Sequence, residues 1–158
     1  MRIVGLDIGR GGAVCATLEG FPDNPRRYFA QHRREFLKLK ADATGIEQLL
    51  ALAPCGMVME PTGVWYSTLW KELADRASIP VYWIGHGDLA ALRGSYGFRN
   101  KRDDEDAFCL ALSFFDNRFV DSLGRRRFLS FESGTVSQVR ELFFQLEQLD
   151  KCRTTQVN

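Results

Sequence analysis

The stretch RIVGLDI, residues 2–8, is a short and mostly apolar segment that carries an aspartate, Asp7, close to its end. A run of this length, followed at once by three glycines within four residues, predicts a buried strand that ends in a turn. The next stretch, AVCATLE at residues 13–19, alternates well enough to predict a second strand, paired back on the first as a hairpin. These two strands begin a sheet, and Asp7 lies where the first strand ends.

Turn residues and apolar spacing divide the rest of the chain into further strands and helices. RRYFA, residues 26–30, follows the two prolines of FPDNP and is interpreted as a third strand. Thr44 is a candidate N-cap for the next helix, and Asp88 is a candidate N-cap for a later one. The other expected elements are a helix over 45–53, a strand over 55–61 that is closed by Glu60, a helix over 64–77, a strand over 79–85, and helices over 87–95, 104–115 and 135–150.

The order of these elements predicts the fold class. Three strands followed by alternating helices and strands indicate an α/β fold with a mixed sheet, a β-meander at its start and helices on both faces. The chain is expected to form one domain over 1–132, followed by a long coiled-coil-like helix over 133–158. Ligands of such sheets gather at the carboxyl ends of the strands, so Asp7 and Glu60 are expected at the same edge.

Composition excludes several classes of protein. With 45% apolar residues in 158, the chain is long enough for one domain with a core and is not expected to be disordered. The net charge of +1 excludes a uniformly basic nucleic-acid binder. Basic residues do cluster locally, and each cluster is equally typical of a solvated loop; the clusters lie at 26–27, 33–34, 99–102 and 125–127.

The cysteines and the hydropathy point to a reduced, water-soluble setting. The four cysteines form no CxxC pair and the chain has only two histidines, so a zinc site is not expected. Cys15 and Cys109 lie in apolar runs and are expected in the core. No signal peptide is recognisable and no apolar run reaches the roughly 18 residues of a membrane span. We therefore expect a cytoplasmic protein that does not contact a membrane.

The stretch KRDDEDAF, residues 101–108, places four acids in a row before an apolar run. On a helix, Asp103 and Asp106 are three residues apart and share a face that continues into apolar residues. Asp104 and Glu105 point elsewhere and are expected to be solvated acids that favour the helix N-terminus. A fully exposed acidic first turn is the alternative interpretation of all four.

Together, four carboxylates predict a metal site. Alone, Asp7 is also typical of a turn cap, and Glu60 of an edge residue that faces water. Acids that converge from two strand ends and one helix would instead supply the oxygen ligands that Mg²⁺ or Mn²⁺ prefers. Such ions can activate water and stabilise the leaving oxygen of a phosphodiester. Asp7, Glu60, Asp103 and Asp106 are therefore candidate metal ligands and catalytic residues.

These motifs resemble a known family. A strand that ends in GLD, then EPTG before a helix, then KRDDEDA, is similar to the N-terminal domain of the DEDD transposases, insertion-sequence recombinases with a RuvC-like, ribonuclease H-like fold. The resemblance covers roughly residues 2–150. It matches the family's four acids to Asp7, Glu60, Asp103 and Asp106.

The resemblance implies a function and partners. It implies a domain that uses Mg²⁺ or Mn²⁺ to cleave or transfer DNA strands, acts as a homo-oligomer, and is guided in some members by a bridge RNA. Arg10, Lys101, Arg102 and Arg99 are candidate phosphate contacts. Family members continue into a second domain with a nucleophilic serine, so cleavage by residues 1–158 alone is not expected.

Three other functions fit parts of the sequence. A stand-alone RuvC-like Holliday-junction resolvase would share the fold and the metal chemistry. A non-catalytic module that binds nucleic acid or guide RNA would not need the four acids. A fragment of a sugar kinase or actin-like ATPase would account for GLDIGRGG, residues 5–12, but gives KRDDEDA no role.

Overall fold

The computed structural model describes residues 1–61, 64–98, 101–120, 122–124, 128–129, 142 and 145–146. The predicted helix over 135–150 and the predicted boundary after residue 132 fall outside its continuous ranges. The strands in the described ranges are β1 Ile3–Gly9, β2 Gly12–Leu18, β3 Leu37–Lys40, β4 Gly56–Met59 and β5 Val81–Trp83. The α-helices in those ranges are α1 Pro25–His32, α2 Ala43–Ala51, α3 Val64–Arg76, α4 His86–Ser95 and α5 Asp103–Phe115.

The strands form one mixed sheet in the order β3-β2-β1-β4-β5. The first two pairings outward from β3 are antiparallel, whereas β1, β4 and β5 run parallel to one another. β1 is therefore the central strand, and it pairs with both β2 and β4. The mixed sheet predicted from the sequence is confirmed.

Helices cover both faces of the sheet, as predicted. Alternate residues of β1 point to opposite faces, so Ile3 belongs to one apolar cluster while Val4 and Leu6 belong to the other. The first cluster includes residues of α1, α4 and α5, and the second includes residues of α2 and α3. Cys15 and Cys109 are buried, which confirms their predicted place in the core. None of the described helices is both long and apolar enough to cross a membrane.

The central strand β1 lies in close contact with α5. A Cβ atom added to Gly5 would lie 2.0 Å from the carbonyl oxygen of Ala107 and 2.4 Å from the backbone nitrogen of Ala111. Only glycine leaves room for the helix backbone at this distance. Every residue of α5 from Glu105 to Phe114 is buried as a result of this packing against the sheet and α4.

The predicted third strand over 26–30 is wrong. These residues belong to α1, whose N-cap Asn24 accepts a hydrogen bond from the backbone N–H of Arg27 at 3.0 Å, with Pro25 in the first turn. The true third strand, β3, comes later and still pairs antiparallel with β2. β1, β2 and β3 are therefore neighbours in the sheet, as in a meander, but α1 lies between β2 and β3 in the sequence and places Phe29 in the core.

Two predicted helix caps are also wrong. Asp42, not Thr44, caps α2, because its carboxylate accepts a hydrogen bond from the N–H of Gly45 at 3.0 Å. The N-cap of α4 is Gly85, and Asp88 lies within the first turn without making a capping hydrogen bond. The acid at position 88 still lies at the positive end of the helix dipole.

The fit of Gly5 against α5 gives a first prediction. Gly5→Ala should lower the free energy of unfolding by about 3 kcal/mol or more, since the added Cβ meets backbone atoms that cannot move independently. Urea denaturation followed by circular dichroism would measure it. Gly87→Ala is the matched control: nothing lies within 4 Å of its Cβ position, so the change should be neutral or stabilise α4 by up to about 1 kcal/mol. Equal effects of the two changes would contradict the close packing.

Candidate metal and nucleic-acid site

Two neighbouring parallel strands deliver Asp7 and Glu60 to the same edge of the sheet. Leu6 of β1 pairs with Met59 of β4, and each of these residues is followed directly by an acid. Adjacent strands are separated by about 4.8 Å. Asp7 is two residues after Gly5, and Glu60 is two residues after Val58. Because side chains two residues apart along a strand point to the same face, both acids lie on the face that α5 covers. The edge predicted from the sequence is confirmed for this pair.

The first turn of α5 brings the other two candidate acids to this edge, at different depths. Asp103 is exposed at the start of the helix, while Asp106 is buried one turn later. The backbone N–H of Asp106 donates to the carbonyl oxygen of Arg102 at 2.9 Å, which starts the helical hydrogen-bond pattern. The apolar stripe that follows Asp106 faces the sheet, so the predicted inward direction of Asp106 agrees with its burial.

Asp7 carries the electrostatic consequence of this arrangement. Burial, and after it the negative charges of Asp106, Asp103 and Glu60, together raise the pKa of its carboxyl group from 3.8 to about 7. The positive charge of Lys101 acts in the opposite direction. The four acids therefore lie within electrostatic reach of one another, and Asp7 holds its proton close to neutral pH when no cation is bound.

Two nitrogen-bearing side chains of α4, Arg93 and His86, contact the acids, and sequence patterns did not predict either. Arg93 donates a hydrogen bond from Nη1 to Oδ2 of Asp106 at 3.2 Å, and the same nitrogen lies 3.0 Å from Oδ1. His86 forms a hydrogen bond through Nδ1 with Oε1 of Glu60. Both belong to the helix that follows β5, the strand beside β4. The sheet order would have been needed to connect them with the acids.

Arg93 does not satisfy Asp106 completely. Oδ1 of Asp106 is close to Nη1 but is out of line with its N–H bond, and it has no hydrogen-bond partner among the described residues. The pKa of Asp106 is raised, because desolvation outweighs the attraction of Arg93 and the charge of Glu60 adds to it. A buried carboxylate oxygen with an open position is suited to a further cation.

The buried Asp116, at the C-terminal end of α5, is a carboxylate with several hydrogen-bond donors. Asp116 accepts hydrogen bonds from the guanidinium of Arg118 at 2.6 and 2.9 Å, and another from the hydroxyl of Tyr96. Burial favours its protonation, but these hydrogen bonds prevail and its pKa is lowered. At the N-terminal end of α5, by contrast, Glu105 and Asp106 each keep a buried oxygen without a hydrogen-bond partner among the described residues, and the pKa of each is raised.

The predicted roles of Asp104 and Glu105 need one correction. Asp104 is partly exposed and pairs with Arg102 at 3.1 Å, as expected for an acid at a helix start. Glu105 is buried instead of solvated, its Oε2 has no hydrogen-bond partner in the described part of the chain, and its pKa is raised by desolvation. α5 is covered on most sides, so helical spacing could not assign this residue to an exposed face.

A cleft of about 410 Å³ opens over the acids. Asp7, Glu60, Asp103 and Lys101 line it, while Asp106 lies deeper. Arg10 is exposed in the β1–β2 turn but is not part of the cleft wall. The remaining predicted phosphate contacts are Arg102, which is exposed beside Asp104, and Arg99, which lies outside the described residues, as do Thr62 and Gly63 of EPTG.

The donor set fits a hard divalent cation in its chemistry. Four carboxylates share one sheet edge, the pKa of Asp7 is raised by the other three, and Asp106 has an unpartnered buried oxygen. Among the described residues, no three such side chains are yet close enough to enclose an ion. In this arrangement Glu60 is turned to His86, and Asp106 to Arg93.

The strand order and the helices on both faces confirm the predicted α/β class with a mixed sheet. Two solved structures of RuvC from Thermus thermophilus are similar to this chain, one of them in complex with a Holliday junction substrate. Each is 16% identical with a TM-score of 0.45, over 82% of this chain and 99% or 100% of RuvC. No family model matches the sequence. No curated protein matches it either.

The raised pKa of Asp7 predicts a pH dependence of stability. Between about pH 4 and 7 the folded chain keeps a proton that the unfolded chain has lost, so the free energy of unfolding falls as the pH rises through this window. Asp7→Asn removes this contribution. With a chelator present, the variant should equal the wild type near pH 4 and exceed it by about 1–2 kcal/mol at pH 8, allowing for solvent screening of a partly exposed group.

Urea denaturation at several pH values would measure this difference. Asp23→Asn, which removes an exposed carboxyl group before α1, is the control and should leave the pH profile parallel to that of the wild type. A constant difference between Asp7→Asn and the wild type across the pH range would contradict the perturbed carboxyl group.

The Arg93–Asp106 pair gives a third prediction. Arg93→Met should destabilise the fold by about 2–3 kcal/mol, because it leaves the buried Asp106 without its cation. The double variant Arg93→Met/Asp106→Asn should recover most of this loss, since no charge then remains buried. The exposed pair Lys71–Asp75, at 2.6 Å, is a matched control with an expected coupling below about 0.5 kcal/mol. Equal coupling in the two cycles would argue against a structural role for Arg93.

Proposed function

We propose that this chain is a metal-dependent domain that processes phosphodiester bonds in DNA, of the DEDD transposase type. Asp7, Glu60, Asp103 and Asp106 would hold Mg²⁺ or Mn²⁺. The observation that carries the proposal is the adjacency of Asp7 and Glu60 at the ends of β1 and β4, beneath the acidic first turn of α5. Burial and the negative charges of the other three acids raise the pKa of Asp7, and Asp106 keeps a buried oxygen without a hydrogen-bond partner among the described residues. Both features favour a ligand that is itself a cation.

The transposase assignment depends on the residues that carry the resemblance. GLD lies in the second half of β1, EPTG begins where β4 ends, and KRDDEDA leads into α5, so each motif lies close to the edge of the sheet that carries the acids. The order and spacing of the motifs favour this family over other nucleases with a similar sheet. Participation in DNA transposition, a guide RNA and a homo-oligomer belong to the same proposal.

The chain's own residues define what the site can do. Asp7 must lose its proton before it can bind a cation, so binding should strengthen as the pH rises through about 7. Lys101, at the wall of the cleft, is placed to contact a phosphate of the bound strand. Bound metal would lower the pKa of an attacking water and stabilise the leaving oxygen. Arg93 would keep Asp106 in place while another cation approaches its open oxygen.

A stand-alone Holliday-junction resolvase is the alternative that uses the same acids. The two proposals differ in substrate and in completeness. A resolvase would cut a four-way junction with residues 1–158 alone, whereas the transposase proposal requires further protein for strand cleavage. A cleavage assay on a four-way junction, a linear duplex and a duplex with an insertion-sequence end would separate them.

Metal binding is the direct test of the four acids. At a Mg²⁺ concentration 100 times its Kd, the wild type should gain about 2.7 kcal/mol of stability. Asp7→Asn and Asp106→Asn should gain little or nothing, because each lacks one anionic ligand. Calorimetric titration with Mg²⁺ and Mn²⁺, together with thermal denaturation, would measure both quantities.

Asp104→Asn is the matched control for this test. Asp104 lies on the same helical turn, is partly exposed and pairs with Arg102 instead of facing the cleft. It should keep the Mg²⁺ response of the wild type. If Asp7→Asn and Asp106→Asn both keep that response as well, the four acids do not form a metal site and the proposal fails.

A further inference from the structure

A second groove, of about 590 Å³, lies beside the acid cleft. The two spaces share Val14, Lys38 and Asp103 as common wall residues, so they adjoin each other. The far part of the second groove is lined by Arg33 and Arg34, from the 3₁₀ turn that follows α1. We call this space the basic groove.

The basic groove has an excess of positive charge in a chain that is nearly neutral. Its walls carry four basic and two acidic side chains, a net charge of +2, whereas the whole chain has a net charge of +1. Arg102 is paired with Asp104, but Arg33, Arg34 and Lys38 are exposed and form no ion pair within the described part of the chain. These three cations are therefore available to an external anion.

Structural roles account for some of these residues but not for all. Lys38 lies on β3, the edge strand of the sheet, where a lysine discourages pairing with another chain. Arg33 and Arg34 precede that strand and cannot serve this purpose. Arg33 is the C-cap of α1, where a positive charge favours the helix dipole, whereas Arg34 lies beyond the cap; both line the groove beside the acid cleft.

An aromatic side chain lies among the basic side chains of the groove. Phe36 lines the basic groove and is half-buried, and its ring packs against Phe29 and Phe108 at centroid distances of 5.9 and 6.0 Å. These contacts hold the ring in place. Proteins that bind single-stranded nucleic acid combine basic side chains, which contact the backbone, with aromatic rings on which nucleobases stack.

We propose that the basic groove binds the phosphate backbone of a DNA strand whose reacting bond lies in the acid cleft. Arg33 and Arg34 contact phosphates several nucleotides from that bond, and Lys38 contacts the backbone where the two spaces join. The inference rests on the proposed function, because it identifies the strand in the groove with the substrate of the four acids.

Binding can be tested without cleavage. Arg33→Ala/Arg34→Ala would be compared with the wild type by fluorescence anisotropy, using a labelled single-stranded DNA 20-mer in EDTA at 50–200 mM KCl. We expect about a tenfold weaker affinity at 100 mM KCl. The slope of log affinity against log salt should become shallower by about 1.4, for two lost phosphate contacts on a single strand.

Lys71→Ala/Arg76→Ala provides the matched control, with the same change in charge. These residues lie on α3, which packs on the opposite face of the sheet. The affinity of this control variant for the DNA 20-mer should stay within about twofold of the wild-type affinity. Thermal denaturation with and without Mg²⁺ would be recorded for both variants, since the groove variant should retain the wild-type melting temperature and the wild-type response to metal.

The outcomes separate the groove from the metal site. Equal DNA affinities and equal salt slopes for the two double variants would contradict DNA binding by the basic groove. A wild-type response to Mg²⁺ in the same variants would show that the metal site is unaffected. Absence of DNA binding by the wild type would contradict the role of the basic groove too, and the Mg²⁺ response would then decide the proposed function separately. If an RNA hairpin required Arg33 and Arg34 but DNA did not, the assignment to DNA would be wrong.

Discussion

The contact between Gly5 and the backbone of α5 is the constraint on which the arrangement of the site depends. Without a side chain at Gly5, the helix lies directly on the central strand, next to Ala107 and Ala111. Asp7 is two residues further along β1, and Asp106 and Asp103 are in the turn of α5 just before Ala107. The same contact that closes the core therefore brings the acids of strand and helix together.

This arrangement has an electrostatic cost, and the protein reduces it only in part. Arg93 and His86 each contact one of the acids, while Asp7 keeps a raised pKa and Asp106 keeps an oxygen without a partner. At the opposite end of the same helix, Asp116 is fully engaged by Arg118 and Tyr96. The fold can thus neutralise a buried acid where no ligand is needed, which makes the uncompensated end the stronger candidate for function.

Local sequence patterns predicted those features that depend on neighbouring residues. The apolar runs gave β1 and β4, and strand alternation with the rule for strand ends placed Asp7 and Glu60 at one edge. The third strand was misplaced because RRYFA has apolar residues over a strand-like length. Asn24 followed by Pro25, a cap and a first-turn proline, would have indicated the helix that forms there.

The sequence by itself determined where β1, β4 and α5 form, and it supplied the four candidate acids, because strand periodicity and motif spacing are local properties. Tertiary structure alone decided that Glu105 is buried, that Arg93 and His86 reach the acids, and that Arg33 and Arg34 line the basic groove beside the acid cleft. The physical reason is that α5 is enclosed on most sides, so its own spacing assigns no face. Contacts across 13 or 26 residues exist only once the sheet has set the order of its strands.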